Sequence, residues 1–291
     1  MLEFHRGDIL CDVTADRSIA LQRTIVWAAT AALLVVGLLT TVAPSPHPPE
    51  GPAEFSIDNA MGHVRSIAAE PHPVGSAADA RVREYLLDQL KKLGLEPEVQ
   101  TANVLGRTVQ NVIARVPGSQ SAIRNRQSAI LLVAHYDSVM YGPGAGDDSA
   151  AVGALLETAR CLRAGPPLKR DLILLLTDGE EAGLLGARAF CADESFAFKE
   201  NRVRALPPDT RSASPLALHP AFDEVAVVLN FDARGASGPA IMFETGAGNL
   251  ALIRHFAAAA PRPIANSLSY DVYKMLRNDT DFTVFRRGSR D

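Results

Sequence analysis

The chain has 291 residues, of which 47% are hydrophobic and 21% charged, and its formal net charge is −4. These proportions suit one sizeable folded core; they exclude a disordered chain, a polytopic membrane protein and a disulfide-stapled miniprotein. A mildly acidic chain has no general attraction to nucleic acid, and three scattered cysteines (Cys11, Cys161, Cys191) make neither a disulfide framework nor a Cys-type zinc site.

In chain order, the first feature is a charge-free stretch from Thr24 to Pro49, almost entirely apolar from Ile25 to Ala43. As a helix these residues span roughly 28 Å, the thickness of a bilayer core. A buried core helix would keep a polar stripe, and only Thr30, Thr40 and Thr41 interrupt this one. Arg6, Arg17 and Arg23 precede the run, and no Lys or Arg follows until Arg65. The positive-inside bias therefore leaves residues 1–23 as a cytoplasmic tail, 24–43 as a single-pass signal anchor, and the rest outside the cytoplasm. A signal peptide cleaved after Thr41-Val42-Ala43 is the rival reading. Residues 44–54 open with five prolines in nine residues, a stiff linker.

Residues 55–291 carry the folded domain. Helical spacing covers Ile57–Ala69 and Ala78–Leu93, the second stopped by Gly94. Four β-rich runs follow: Thr108–Val116, Ala129–Ala134, Leu172–Thr177 and Val225–Phe231. Continuous apolarity in the middle two indicates strands covered on both faces. Helical stretches Ser149–Arg163 and Glu181–Cys191 follow them, and Ser195–Pro220 has the composition of an insertion loop. The pattern implies an α/β three-layer sandwich with a mostly parallel central sheet.

In such sheets, chemistry collects beyond the carboxyl ends of strands. The first strand end reads His135-Tyr136-Asp137, where an acid two residues on can hold one imidazole nitrogen. Next is a glycine-rich loop carrying Asp147-Asp148-Ser149 into a helix; capping by Asp148 or Ser149 accounts for one of these. The third is Asp178-Gly179-Glu180-Glu181, and a fourth apolar run ends in Asp232. Carboxylates gathered this way repel one another unless a cation sits among them.

These motifs, in the order His-x-Asp, Gly-Ala-x-Asp-Asp, Asp-Gly-Glu-Glu-x-Gly-Leu-x-Gly and Asn-Phe-Asp-Ala-Arg-Gly, resemble family 28 of the metallopeptidases. These are the co-catalytic dizinc aminopeptidases of clan MH, and the likeness is to their membrane-anchored, endoplasmic-reticulum and vacuolar branch. Arg65–Ser76, Asn111–Gly118 and Gly238–Gly246 add to it, so it covers roughly Ser56 to Arg287. The resemblance implies a zinc exopeptidase-like fold and two zinc ions, with peptides as substrates. His135, Asp147 and Asp232 would hold one zinc, and Asp147 would bridge to a second that Glu181 also binds. Asp137 would orient His135, and Glu180 would be the general base that deprotonates the attacking water and then protonates the leaving amine. Arg234 is expected in structural pairing, Asp148 in support of the site, and Asp279 or Asp281 near the substrate.

One expected ligand is missing. The family places a further histidine beyond the segment Asn278–Phe282, and no histidine follows His255, which falls in the helical stretch Asn249–Ala259. The expectation is therefore a peptidase domain incomplete at its C-terminus. Two alternatives to an active aminopeptidase stand: an inactive or one-zinc remnant, and a glutaminyl-cyclase-like acyltransferase on the same scaffold. Oligomeric state is not legible.

Overall fold

The structure is a computed structural model that describes residues 7–41, 48–119, 128–192, 218–233, 240–276 and 279–288. It forms two compact units, an N-terminal helix and the domain that follows. Helix α1 runs Gly7–Thr41, beginning well upstream of the apolar run itself. Its segment Ile19–Gly37 is long and apolar enough to cross a membrane.

The domain opens with α2 (Ile57–Ile67) and α3 (Ala77–Lys92). Each begins at a serine whose hydroxyl accepts a backbone N–H of the first turn: Ser56 from Asn59 at 3.3 Å, Ser76 from Asp79 at 3.0 Å. Helix α3 stops where Gly94 takes a left-handed φ of 71°, and the N–H of Leu95 returns to the carbonyl of Leu90 at 3.1 Å.

Five strands follow: β1 (Glu98–Val104), β2 (Arg107–Val116), β3 (Ala129–His135), β4 (Leu172–Thr177) and β5 (Val225–Asn230). Their order is β1-β2-β4-β3-β5. The sheet is mixed. Strands β4, β3 and β5 run parallel, whereas β1 and β2 form an antiparallel hairpin joined antiparallel to β4. The hairpin turns through Leu105 and Gly106, both at positive φ, as a two-residue turn requires.

Helix α4 (Ala150–Ala164) joins β3 to β4, and α5 (Leu185–Cys191) follows β4. Helices α6 (Leu250–Ala259), α7 (Ser267–Met275) and α8 (Asp281–Gly288) complete the described domain. Strand β4 shows why this is a three-layer fold. Leu172, Leu174 and Leu176 pack with α2, α3 and α4 on one face. Ile173 and Leu175 pack on the other with Phe190 of α5 and Val284 and Phe285 of α8. Full burial of each such side chain stabilises the fold by roughly 1.5–3 kcal/mol. Both faces covered means that polar residues at the carboxyl edge of β3, β4 and β5 emerge together along one rim. Most of the expected insertion loop, the cleavage-type sequence at Val42-Ala43, Arg234 and Asn278 lie outside the described residues.

Candidate metal centre

His135 is the last residue of β3 and is 2% exposed. Its Nδ1 lies 3.1 Å from the carbonyl oxygen of Asp137 and 3.5 Å from that residue's carboxylate. An Nδ1–H donated there leaves Nε2 as the free lone pair. Nε2 points at Asp147 Oδ1, 3.0 Å away. Asp147 arrives on the loop that opens with Gly144 (φ 65°), where a Cβ would stand 2.7 Å from the carbonyl of Asp147 and 2.9 Å from the side chain of Ser138. Glycine is therefore required there for the loop to fold back on β3.

Asp232 follows β5, and its Oδ1 accepts the N–H of Ala233 at 2.7 Å. One ligand atom from each of His135, Asp147 and Asp232 lies within 4.8 Å of the others, a trio that could hold a metal ion. The donor set is one imidazole, its second nitrogen already held, and two carboxylates, a chemistry that fits zinc. The electrostatics agree. Burial pushes Asp232 above the usual carboxylate range, with Asp147 and Asp137 adding to it, and in the metal-free site the surrounding acids hold His135 well above its ordinary value despite burial.

Glu180 and Glu181 stand where β4 gives way to the turn before α5. The two oxygens of Asp137 accept their backbone N–H groups, Glu180 at 2.9 Å and Glu181 at 3.3 Å. Burial, reinforced by Asp281, Asp232 and Asp137, pushes Glu180 up to about 10, with His135 opposing. Glu181 is exposed and stands outside the trio; after burial, Asp147 is the charge that raises it most.

Asp148 is 1% exposed. It does not cap α4, and neither does Ser149, whose side chain makes no capping bond. Instead Asp148 Oδ2 accepts the N–H of His135 at 3.3 Å, so the acid beside one member of the trio grips the backbone of another. Asp281 is buried too, and its Oδ2 accepts the hydroxyl of Thr177 at 2.5 Å. Asp279 accepts the hydroxyl of Thr283 at 3.2 Å, within the opening turn of α8. His255 is exposed on α6, its Nδ1 2.7 Å from the carbonyl of Ala251.

The model of Peptidase family M28 matches residues 111–289, which contain every residue of this centre. The chain belongs to peptidase family M28. Among its relatives are the vacuolar membrane protease of Schizosaccharomyces japonicus, 29% identical over 80% of this chain, and endoplasmic reticulum metallopeptidase 1 of Mus musculus, 25% identical over 80%. The chain spans about a quarter of the length of these curated relatives, 26% in both cases. The M28 fold is matched by a Zn-dependent exopeptidase from Parabacteroides distasonis, at TM-score 0.55 and 20% identity over 82% of each chain. Glutaminyl cyclase from Porphyromonas gingivalis matches at TM-score 0.56 and 22% identity over 80% of each chain.

Proposed function

We propose that this chain is a membrane-attached zinc exopeptidase that removes N-terminal residues from peptides. The observation that carries the reading is the meeting of His135, Asp147 and Asp232 beside a Glu180 whose backbone is fixed by Asp137. In this reading His135, Asp147 and Asp232 would hold one zinc, and Asp147 and Glu181 would contribute to a second. Zinc there supplies Lewis acidity for a peptide carbonyl and for water.

The chain's own residues do the rest. Asp137 keeps the His135 ring oriented and sets where Glu180 begins. Glu180 is the proton carrier: it takes a proton from the attacking water and passes it to the departing amine. Its partial burial limits solvent access to that transfer, and positive charge held at the trio would lower its raised proton affinity. Attachment rests on the apolar segment of α1, with the arginines before it on the cytoplasmic side and the domain on the other.

The test uses the full chain in detergent, with aminoacyl and peptide substrates and elemental analysis of metal. Zinc-dependent release of the first residue is expected, abolished by a chelator. Glu180→Gln keeps its zinc and loses about 10²–10⁴-fold in rate. Full activity in that variant, or in metal-stripped protein, overturns the reading.

A second reading, a one-zinc cyclising acyltransferase of glutaminyl-cyclase type, is favoured by the fact that the trio alone accounts for one ion while Glu181 stands apart. Ring closure on N-terminal glutaminyl peptides, without peptide cleavage, would select it.

A further inference from the structure

The segment that carries Glu180 and Glu181 is held at a second place besides Asp137. Residues 178–186 form a closed loop. Within it the N–H groups of Gly183 and Leu184 return to the carbonyl of Glu180 at 2.9 and 2.8 Å, and that of Leu185 returns to Gly179 at 3.0 Å. Its two ends meet: a Cβ on Gly186 would stand 2.7 Å from the backbone nitrogen and oxygen of Asp178. This is the geometry of an Ω-loop, a short segment closed at a neck.

One side chain occupies the neck. Asn111 of β2 is fully buried. Its Oδ1 accepts the N–H of Asp178 at 3.0 Å, and its Nδ2 donates to the carbonyl of Gly186 at 2.8 Å. Nδ2 also donates to Oε1 of Gln100 on β1 at 2.9 Å, and Gln100 donates in turn to the carbonyl of Ala189 in α5 at 3.0 Å. The N–H of Gln110 donates to Oδ2 of Asp178 at 2.8 Å, so the start of the loop is tied to β2 twice. A buried amide is costly unless its donors and acceptor are used, and here both kinds are. Its neighbours along the same face of β2, Val109 and Ile113, belong to apolar clusters that bury α5. An apolar residue would suit that face; the amide adds two ties across the neck.

We propose that Asn111 is a positioning residue for Glu180 and Glu181: it pins the neck of their loop to the β1–β2 hairpin and so sets where both carboxylates stand. The inference rests on the roles given to these glutamates above. Among the described residues, the side-chain hydrogen bonds of Asn111 go to Gln100, Asp178 and Gly186, and to no member of the trio. Asp137 grips the ring of His135 and the glutamates together, whereas Asn111 grips the glutamates alone. Its loss therefore divides the site: the proton carrier and Glu181 shift, and the trio stays. A displacement of about 1 Å at a reacting group is enough to cost roughly 10²-fold in rate.

The test uses the zinc-loaded full chain in detergent. Asn111→Leu keeps the volume and removes both ties. Val112→Ala, on the opposite face of the same strand, is the control for lost stability alone. Deuterium uptake by the peptide covering residues 178–184 is expected to quicken about 10-fold in Asn111→Leu and to stay near wild type in Val112→Ala. The most tightly held zinc keeps its wild-type affinity, and kcat falls about 10–100-fold with KM within about twofold. Gln100→Leu removes the support behind Asn111 and repeats the pattern at smaller size, so it decides the matter if Asn111→Leu does not fold; wild-type behaviour there then overturns the proposal. Uptake or kcat in Asn111→Leu that changes no more than in Val112→Ala overturns it, as does loss of the tightly held zinc. An inactive wild type would remove the peptidase reading, and the uptake comparison would still decide whether Asn111 pins the loop.

Discussion

Asp137 accepts the backbone N–H of Glu180 at 2.9 Å, although 43 positions separate them in the chain. The same carboxylate accepts from Glu181 and lies 3.5 Å from Nδ1 of His135. One side chain thus sets the ring of a ligand candidate and the starting point of both glutamates. Strands β3 and β4 are hydrogen-bonded neighbours, with His135 opposite Thr177, so the two loops leave the sheet side by side.

Replacing Asp137 therefore moves several groups together. Asp137→Ala is expected to weaken zinc binding about 10–100-fold, while Asp137→Asn, which keeps one acceptor oxygen, falls between. Competition with a fluorescent chelator measures both. Wild-type affinity in Asp137→Ala would show that the trio orients itself unaided.

Zinc binding should release protons. In the metal-free protein Glu180 holds its proton up to about 10, against an ordinary value of 4.5, and His135 is also held above its usual range. A group raised in the folded state binds protons that the unfolded chain has lost, so metal-free stability declines as pH climbs above 4.5. A cation reverses this by favouring the deprotonated groups. Titration calorimetry of metal-free protein in buffers of different ionisation enthalpy should show net proton release near pH 7, and zinc affinity that rises with pH. Affinity flat across pH 6–8 would contradict it.

Glu157 of α4 is 1% exposed and is surrounded by donors. It accepts the N–H of Ser56 at 2.7 Å, and two nitrogens of Arg160, each at 2.7 Å. Burial would raise its carboxyl, but these bonds outweigh burial and hold it below its ordinary value. Its contribution is therefore present at neutral pH and is lost as pH falls through the folded-state value. Glu157→Ala should cost about 3 kcal/mol at pH 7, and less at pH 4, read from urea unfolding. An equal loss at both pH values would separate the effect from the charge.

Gly186, in the first turn of α5, sits where no side chain fits. A Cβ there would stand 2.7 Å from both the backbone nitrogen and oxygen of Asp178 and would collide with the side-chain oxygen of Asn111. That oxygen accepts the N–H of Asp178 at 3.0 Å, while the Asn111 amide donates to the carbonyl of Gly186 at 2.8 Å. Gly186→Ala is expected to lose about 1–3 kcal/mol and to lower turnover by displacing the loop that carries Glu180. Thermal unfolding and a rate assay on one preparation check both effects.

Much of the centre is legible in the sequence because apolar strands deliver their next polar residue to a common rim. His135, Glu180 and Asp232 each follow such a run. Strand β1 is not legible this way: Glu98, Gln100, Thr101 and Asn103 give a mostly exposed edge, held by pairing with β2 rather than by burial. Asp148 reads locally as the start of a helix, yet its partner is the N–H of His135 on a strand. Asp281 meets Thr177 across 104 positions, and nothing in either segment announces the other. Periodicity reports which face of an element is covered; it does not report which distant polar atom completes a buried one.

The guanidinium of Arg160 donates to the carbonyl of Glu54 at 2.6 Å and to that of Pro52, besides its bonds to Glu157. The proline-rich leader is thus bolted to α4 before the first helix of the domain begins. Arg160 sits near the C-terminal end of α4, and the opposite end of that helix is where the Asp147 loop runs in. The joint that holds residues 52–54 down is thus also a point at which strain in them would enter the helix that leads back to the candidate metal centre.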